Sequence, residues 1–283
     1  MTVIQTLVDL GFTRLEADIY VFLLQESPAT GYRVAQAIGK PTANTYKAIQ
    51  ALESKGAVLV DENKNRLCRA VSANELLSQI ERKFIANKQQ AAKALSKLES
   101  LSHDDRVYQI RSRDQVFERF RNMLVDCRDI AILDCAPTIQ DEVKPMLAET
   151  TGRGVKVAIK TYQPFAVRGA LVFVCPRGEE IMKRWPGLWL NLIVDGAEHL
   201  FCYLSPNGKI VYQAIWSASA YLSWIHYGAL RDELISTGIE RLLQEDISIE
   251  ELRRAYKKFD SYFPSAPLGY QRLSKRFTGR ESK

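Results

Sequence analysis

The sequence predicts an α+β chain of more than one domain: an N-terminal winged helix-turn-helix, a long coiled-coil helix, and a C-terminal α/β domain. Three observations carry this. Capped amphipathic helices followed by a two-stranded hairpin occupy the first seventy residues. The next thirty contain no Pro or Gly and repeat an apolar seam, and beyond residue 105 short apolar runs alternate with amphipathic segments. At 283 residues the chain has room for more than one core, since domains run to roughly 100–200 residues. The expected divisions are 1–71 for the winged helix, 72–102 for the coiled-coil helix, 103–245 for the α/β domain, and 246–283 for a helix and a basic tail.

A content of 46% hydrophobic and 25% charged residues is that of an ordinary globular protein and excludes disordered and fibrous classes. No stretch approaches the roughly 18 apolar residues of a membrane span, and no basic-then-apolar leader opens the chain, so no membrane partner and a cytoplasmic location are expected. Cys68, Cys127, Cys135, Cys175 and Cys202 are odd in number and scattered. They read as reduced core thiols rather than metal ligands, and no cofactor is expected. The net charge of +6 is uneven: residues 1–102 carry 13 basic against 10 acidic side chains, 103–240 carry 16 against 17, and 241–283 carry 10 against 6. Basic ends suit a polyanionic partner.

In TRLEADIYVFLL, Thr13 and Glu16 have capping-box spacing, and Leu15, Ile19, Phe22 and Leu23 recur at helical spacing. After Ser27-Pro28, Thr30 caps a short helix bearing Val34, Ala35 and Ile38, which Gly39 ends. Pro41 and Thr42 begin another helix running to Lys55-Gly56. A helical wheel places Tyr46, Ile49 and Leu52 toward the core, and Asn44, Lys47, Ala48, Ala51 and Lys55 outward. Asn pairs with adenine and Lys with guanine or phosphate, although a polar stripe is equally what a solvated face shows. VLVDENKNRLCRAV then reads as a hairpin carrying Lys64, Arg66 and Arg69. Beside a recognition helix, such a wing touches phosphate or the minor groove. Thr42, Asn44, Lys47, Lys55, Lys64 and Arg66 are the candidate DNA-binding residues.

The segment from Leu7 to Val60 resembles the N-terminal domain of the TrmB family of sugar-responsive transcriptional regulators. Leu10, Gly11, Phe12, Glu16, Ala17, Tyr20 and Leu23 match one family pattern. Tyr46, Ile49, Leu52, Lys55 and Gly56 match a second, with Ile49 where leucine is usual. The resemblance implies a double-stranded DNA operator as partner and a sugar as effector.

From Ser72 to Leu101 the seam Leu77, Ile80, Phe84, Asn87, Ala91, Ala94, Leu98 and Leu101 alternates by three and four residues. Thirty helical residues span about 45 Å. The seam either pairs two copies in a homodimer, presenting two recognition helices to half-sites about one helical turn apart, or packs on the chain's own second domain.

DIAILDCA, GVKVAIKTY, ALVFVC, LWLNLIVDG, HLFCYLS and IVYQAIWS read as strands, with helices near 112–127, 138–152 and 221–238. This order resembles the phospholipase D-like effector domain of the same family. The catalytic superfamily's H-x-K-x-x-x-x-D-G places His at Leu188 and Lys at Leu190, counted back from Asp195. Its G-S-x-N element is matched to Trp216, Ser217, Ala218 and Ser219. Leucine supplies neither nucleophile nor phosphate neutralisation, so the chain is expected not to be an enzyme. Trp189, Asp195, Tyr203, Trp216 and Ser217 are candidate effector-binding residues, because aromatic faces beside polar groups suit small organic ligands. These aromatics equally read as core, and Asp195-Gly196 as a turn. The tail from Pro264, with Arg272, Lys275, Arg276 and Arg280, reads as solvated. The function expected is a DNA-binding transcription regulator controlled by a small-molecule effector. Its rivals are an architectural DNA-binding protein without ligand and a degenerate phosphodiesterase.

Overall fold

The computed structural model describes residues 2–61, 66–95, 104–245 and 247–279. The chain divides into two compact units, Met1–Leu101 and Ser102–Lys283.

The first unit runs α1 (Val3–Asp9), α2 (Arg14–Gln25), β1 (Ala29–Thr30), α3 (Gly31–Ala37), α4 (Thr42–Ser54), β2 (Val58–Val60), β3 (Leu67–Ala70) and α5 (Ala73–Leu95). The strands form an antiparallel sheet of order β1-β3-β2. The start of α2 is the capping box read from the sequence: Thr13 N donates to Glu16 at 2.7 Å, and Glu16 N donates to the Thr13 hydroxyl at 3.2 Å. Thr30 accepts from Arg33 N at the start of α3, and Gly39 and Gly56, at φ +63° and +73°, end α3 and α4. The helix α1 has no counterpart in the sequence reading, and it sends Leu7 into the core beside Phe12.

The buried stripe of α4 is Thr45, Ala48, Ile49 and Leu52, which corrects the wheel. Thr45 and Ala48 join Ile49 and Leu52 on the inner face, while Tyr46 is 40% exposed. Tyr46 lies across α3 at Gly31, where a Cβ would stand 2.6 Å from its ring. The reason is packing: small Thr45 and Ala48 let α4 approach α2 and α3 closely, and no wheel reports that distance.

The second unit holds β4 (Tyr108–Gln109), α6 (Arg113–Asp126), β5 (Ile130–Cys135), a 3-10 turn (Pro137–Ile139), α7 (Gln140–Gly152), β6 (Lys156–Thr161), β7 (Leu171–Val174), α8 (Gly178–Arg184), β8 (Leu188–Val194), β9 (Glu198–Leu204), β10 (Val211–Ser217), α9 (Ala220–Leu242), α10 (Ile249–Tyr262) and α11 (Leu268–Thr278). One mixed sheet of order β4-β10-β9-β8-β5-β6-β7 forms the middle layer. β5, β6 and β7 run parallel, and the remaining pairings are antiparallel. Alternation along β5 sends Ala131, Leu133 and Cys135 against α6 and α7, and Ile130 and Ile132 against α9. Cover on both faces explains why this strand reads as an almost continuous apolar run. All six strands expected from the apolar runs are present, whereas β4, α8 and α11 were not anticipated. Residues 268–278 form α11 where a solvated tail was expected: Gly269 N donates to Asp195 O at 2.8 Å, and a Cβ there would fall 1.8 Å from Gly196 O.

His199 lies buried on the α9 face, its Nδ1 2.9 Å from the Ser223 hydroxyl and its ring 4.9 Å from that of His226. Burial, with the neighbouring His226, lowers its pKa from 6.5 to about 4. Between those values the unfolded chain binds the proton and the folded one does not, so stability rises with pH there. His199 therefore contributes fully above about pH 6.5, and its contribution, about 3 kcal/mol at most, is lost as pH falls toward 4. Urea unfolding followed at several pH values is expected to show this fall, and His199→Gln is expected to flatten it. An equally steep fall in that variant assigns the effect elsewhere.

Candidate functional site

Two regions concentrate chemistry, one in each unit. In the first, Thr42 and Asn44 are exposed in the opening turn of α4, and Lys47 is exposed one turn on. A groove of about 220 Å³ runs between α4 and the wing strands, lined by Tyr46, Lys47, Gln50, Glu53, Val60 and Arg66 among others. The fold thus brings Lys47 and Arg66 to one groove. Lys64 lies outside the described residues.

Lys55 is placed differently. Its ammonium donates to Glu16 Oε2 at 2.7 Å and to Gly11 O at 2.9 Å, and it lies 5.1 Å over the Phe12 ring. Burial alone pushes the Glu16 carboxyl up, but the Lys55 ammonium and the Thr13 amide outweigh it and hold it below the usual carboxylate range. Lys55 is an internal tie between the end of α4 and the start of α2.

Along α5, Leu76 enters the first unit's core and Ile80 packs against it. Leu77, Phe84, Asn87 and Ala91 are exposed, Phe84 at 68%. Leu98 and Leu101 lie outside the described residues. An apolar stripe of this kind, on a helix with one turn anchored, leaves area to bury against another surface.

In the second unit a cavity of about 610 Å³ opens on the α9 face of the sheet. Strand register builds its floor: Lys160 of β6 pairs with Asp134 of β5, Asp134 with Asn191 of β8, Asn191 with Phe201 of β9, and Phe201 with Ile215 of β10. The next row on the same face sets Trp189 opposite Tyr203 and Tyr203 opposite Gln213. Buried Asp134 accepts from Trp189 Nε1 at 2.9 Å and from the Tyr162 hydroxyl. Burial raises its pKa, against the opposing influence of Trp189 and Lys160. The Lys160 ammonium is held by Glu233 of α9 and lies 5.1 Å over the Tyr162 ring. Trp185, 55% exposed after α8, meets Trp189 at 5.7 Å and Tyr203 at 6.1 Å between ring centroids.

Of the five candidate effector residues, the fold brings only Trp189 and Tyr203 into this cavity. Asp195 is 3% exposed, and its carboxylate accepts the amides of Arg128, Asp129 and Ile130, each at 2.9 Å. Trp216 points to the opposite face, donates to Glu198, and is covered by the Arg119 guanidinium at 4.1 Å. Ser217 is buried, donating to Arg106 O at 2.8 Å and accepting from Ser219 N at 3.0 Å. All three serve the fold's own hydrogen bonding. Leu188 and Leu190 are buried against the α6 and α7 layer, and among the described residues no group of three or more His, Cys, Asp or Glu could hold a metal ion. All five cysteines are free and buried. Among the described residues no helix is long and apolar enough to cross a membrane.

The sequence reading missed Asp134, Lys160 and Glu233. A signal existed for two of them: IAILDC carries Asp134, and KVAIKT carries Lys160 beyond the Lys156 that opens it, inside strands otherwise fit for complete burial, and a buried charge demands a partner.

Residues 7–74 match the family model described as the sugar-specific transcriptional regulator TrmB. The resemblance read from the first seventy residues is thereby borne out. The protein YrhO of Bacillus subtilis (strain 168) is 28% identical over 191 residues, covering 67% of this chain and 70% of its own. Among solved structures, TrmBL2, an archaeal chromatin protein, is 17% identical with a TM-score of 0.38, over 82% of this chain and 96% of that one. NucT from Helicobacter pylori is 7% identical with a TM-score of 0.36, over 47% of this chain and 96% of that one.

Asp195→Asn is expected to destabilise the second unit by about 1–3 kcal/mol, because one of the two carboxylate oxygens becomes a donor facing a donor. Chemical denaturation of the full chain measures this. Unchanged stability would show the three amides to be satisfied without the charge.

Proposed function

We propose, from the TrmB match of residues 7–74, that this chain is a homodimeric transcription regulator that binds double-stranded operator DNA. A small molecule bound in the second unit controls operator affinity. The observation that carries the DNA-binding half is the placement of Lys47 on α4 and Arg66 on the wing along one groove. Thr42 and Asn44 lie in the same helix's opening turn, where unpaired amides and the helix dipole favour phosphate. The α4 side chains read base edges, and the wing cation contacts phosphate. Lys55, committed to Glu16, drops out of the contact set.

The exposed stripe Leu77, Phe84 and Ala91 pairs α5 with its symmetry mate, Asn87 fixing register as a lone polar seam residue. The second unit is read as a phospholipase D-like domain that has lost its chemistry at Leu188 and Leu190 and retains a binding cavity. Regulation requires the ligand to prefer one dimer arrangement; a coupling of about 1–3 kcal/mol shifts operator affinity roughly 5- to 150-fold.

The test is retention of fragments from the protein's own genomic neighbourhood at stated salt, with and without a panel of small molecules. Sequence-specific retention altered by one compound supports both halves. Retention that no sequence change weakens overturns the operator reading.

Two substitutions sharpen it. Lys47→Ala is expected to weaken specific binding by about 1–3 kcal/mol, and unchanged operator affinity would remove Lys47 from the recognition face. Phe84→Glu is expected to convert the dimer to a monomer in analytical ultracentrifugation, because two carboxylates would face each other across an apolar seam. A persistent dimer would place the interface off α5.

A further inference from the structure

We propose that the cavity on the α9 face is a site for an organic cation of the substituted-ammonium class, held in an aromatic cage over a buried carboxylate. This rests on the reading of the second unit as a sensor and specifies what it senses.

The charge balance comes first. The ionisable groups lining the cavity are Asp134, Glu233 and Lys160, with the phenols of Tyr162 and Tyr203 and the Cys202 thiol, which burial keeps neutral. Glu233 holds the Lys160 ammonium, and Asp134 remains with only neutral direct partners, the Trp189 indole N–H and the Tyr162 hydroxyl. With Asp134 ionised, two carboxylates face one ammonium; burial raises the Asp134 pKa, and a bound cation favours the ionised form. An anion entering here would have to displace Glu233 and sit beside Asp134. A cation meets neither obstacle, and it relieves the burial of Asp134 by supplying the opposite charge.

The walls supply the second argument. Trp185 meets Trp189 at an interplanar angle of 54° and Tyr203 at 74°, so the three rings form a corner. All three line the cavity, and a ring face turned toward it presents the negative lobe of the ring quadrupole to a cation. The protein already uses this chemistry in the same cavity, since the Lys160 ammonium lies 5.1 Å over the Tyr162 ring with Glu233 as its carboxylate. A bound ammonium would repeat that arrangement one row along, with Trp185, Trp189 and Tyr203 as its rings and Asp134 as its anion. Trp185 is 55% exposed, so the cage has an open side through which a ligand enters.

A volume of about 610 Å³ is within the range of small-molecule pockets. It leaves room for an ammonium group and an attached chain or ring, with Asn191 and Gln213 placed to meet polar atoms of the remainder.

The experiment is calorimetric titration of the full-length chain, with tryptophan fluorescence in parallel. The probes are choline, benzyltrimethylammonium, the uncharged choline isostere 3,3-dimethyl-1-butanol, benzoate and maltose. At least one ammonium probe is expected to bind, choline at least tenfold more tightly than its isostere, with a change in tryptophan emission. Trp185→Ala is expected to weaken the ammonium probe at least tenfold with an unchanged melting temperature. Asp134→Asn is expected to bring choline and its isostere to equal affinity. Because Asp134 is buried, Trp185→Ala keeps the test decisive if that variant does not fold. Equal binding of choline and its isostere to the unaltered protein, or tighter binding of benzoate, overturns the inference. Binding of maltose alone, lost in Trp185→Ala, overturns the cation while leaving the sensor reading standing. Silence of both ammonium probes overturns it as well, and the effect of small molecules on DNA retention then judges the sensor separately.

Discussion

Asp195 is where three separate stretches of the second unit are held together. It sits in the turn between β8 and β9, with φ +54° followed by Gly196 at +58°, the left-handed pair that such a tight turn demands. From there it accepts the amides of Arg128, Asp129 and Ile130 at the entry to β5, while its own carbonyl receives Gly269 N from α11. The orphan amides at the start of a central strand are thereby satisfied without water, and β5 is set beside β8. The Asp134–Asn191 pairing in the cavity floor belongs to that β5–β8 ladder.

The register that follows places charges where neither strand would carry one alone. Asp134 and Lys160 are cross-strand partners, each buried within an apolar strand, and each would be costly without the other and without Trp189, Tyr162 and Glu233. Breaking such a group by removing one partner is far costlier than replacing the whole set with apolar side chains. A fold that needed only stability would do better with leucines, as it has at Leu188 and Leu190 on the opposite face. The three charges line one face of the cavity, where Trp189 and Tyr162 complete their hydrogen bonding.

The first unit solves a similar problem with one ion pair. Glu16 caps α2 and is almost fully buried. Lys55, at the end of α4, neutralises it and also reaches Gly11 O. The helix α4 is thus pinned at its C-terminal end to α2, while Thr42 and Asn44 in its opening turn and Lys47 one turn on remain exposed.

Local chemistry made much of the chain legible. The Thr13 capping box, the Thr30 cap, Gly39 and Gly56 act within a few residues, so they fix element ends from sequence alone. The six apolar runs likewise announce β5 to β10, because burial on one or both faces is written into each strand. What only the tertiary structure decided is which of these residues meet. Lys55 reads as an outward cation until Glu16, thirty-nine positions away, is folded beneath it. Trp189, Trp216 and Ser217 read as one aromatic and polar group, yet strand alternation and the chain's own hydrogen bonds send only Trp189 to the cavity. Asp134, Lys160 and Glu233 are brought together from three elements by strand register and by the seating of α9. That information resides in long-range pairing, which no local periodicity encodes.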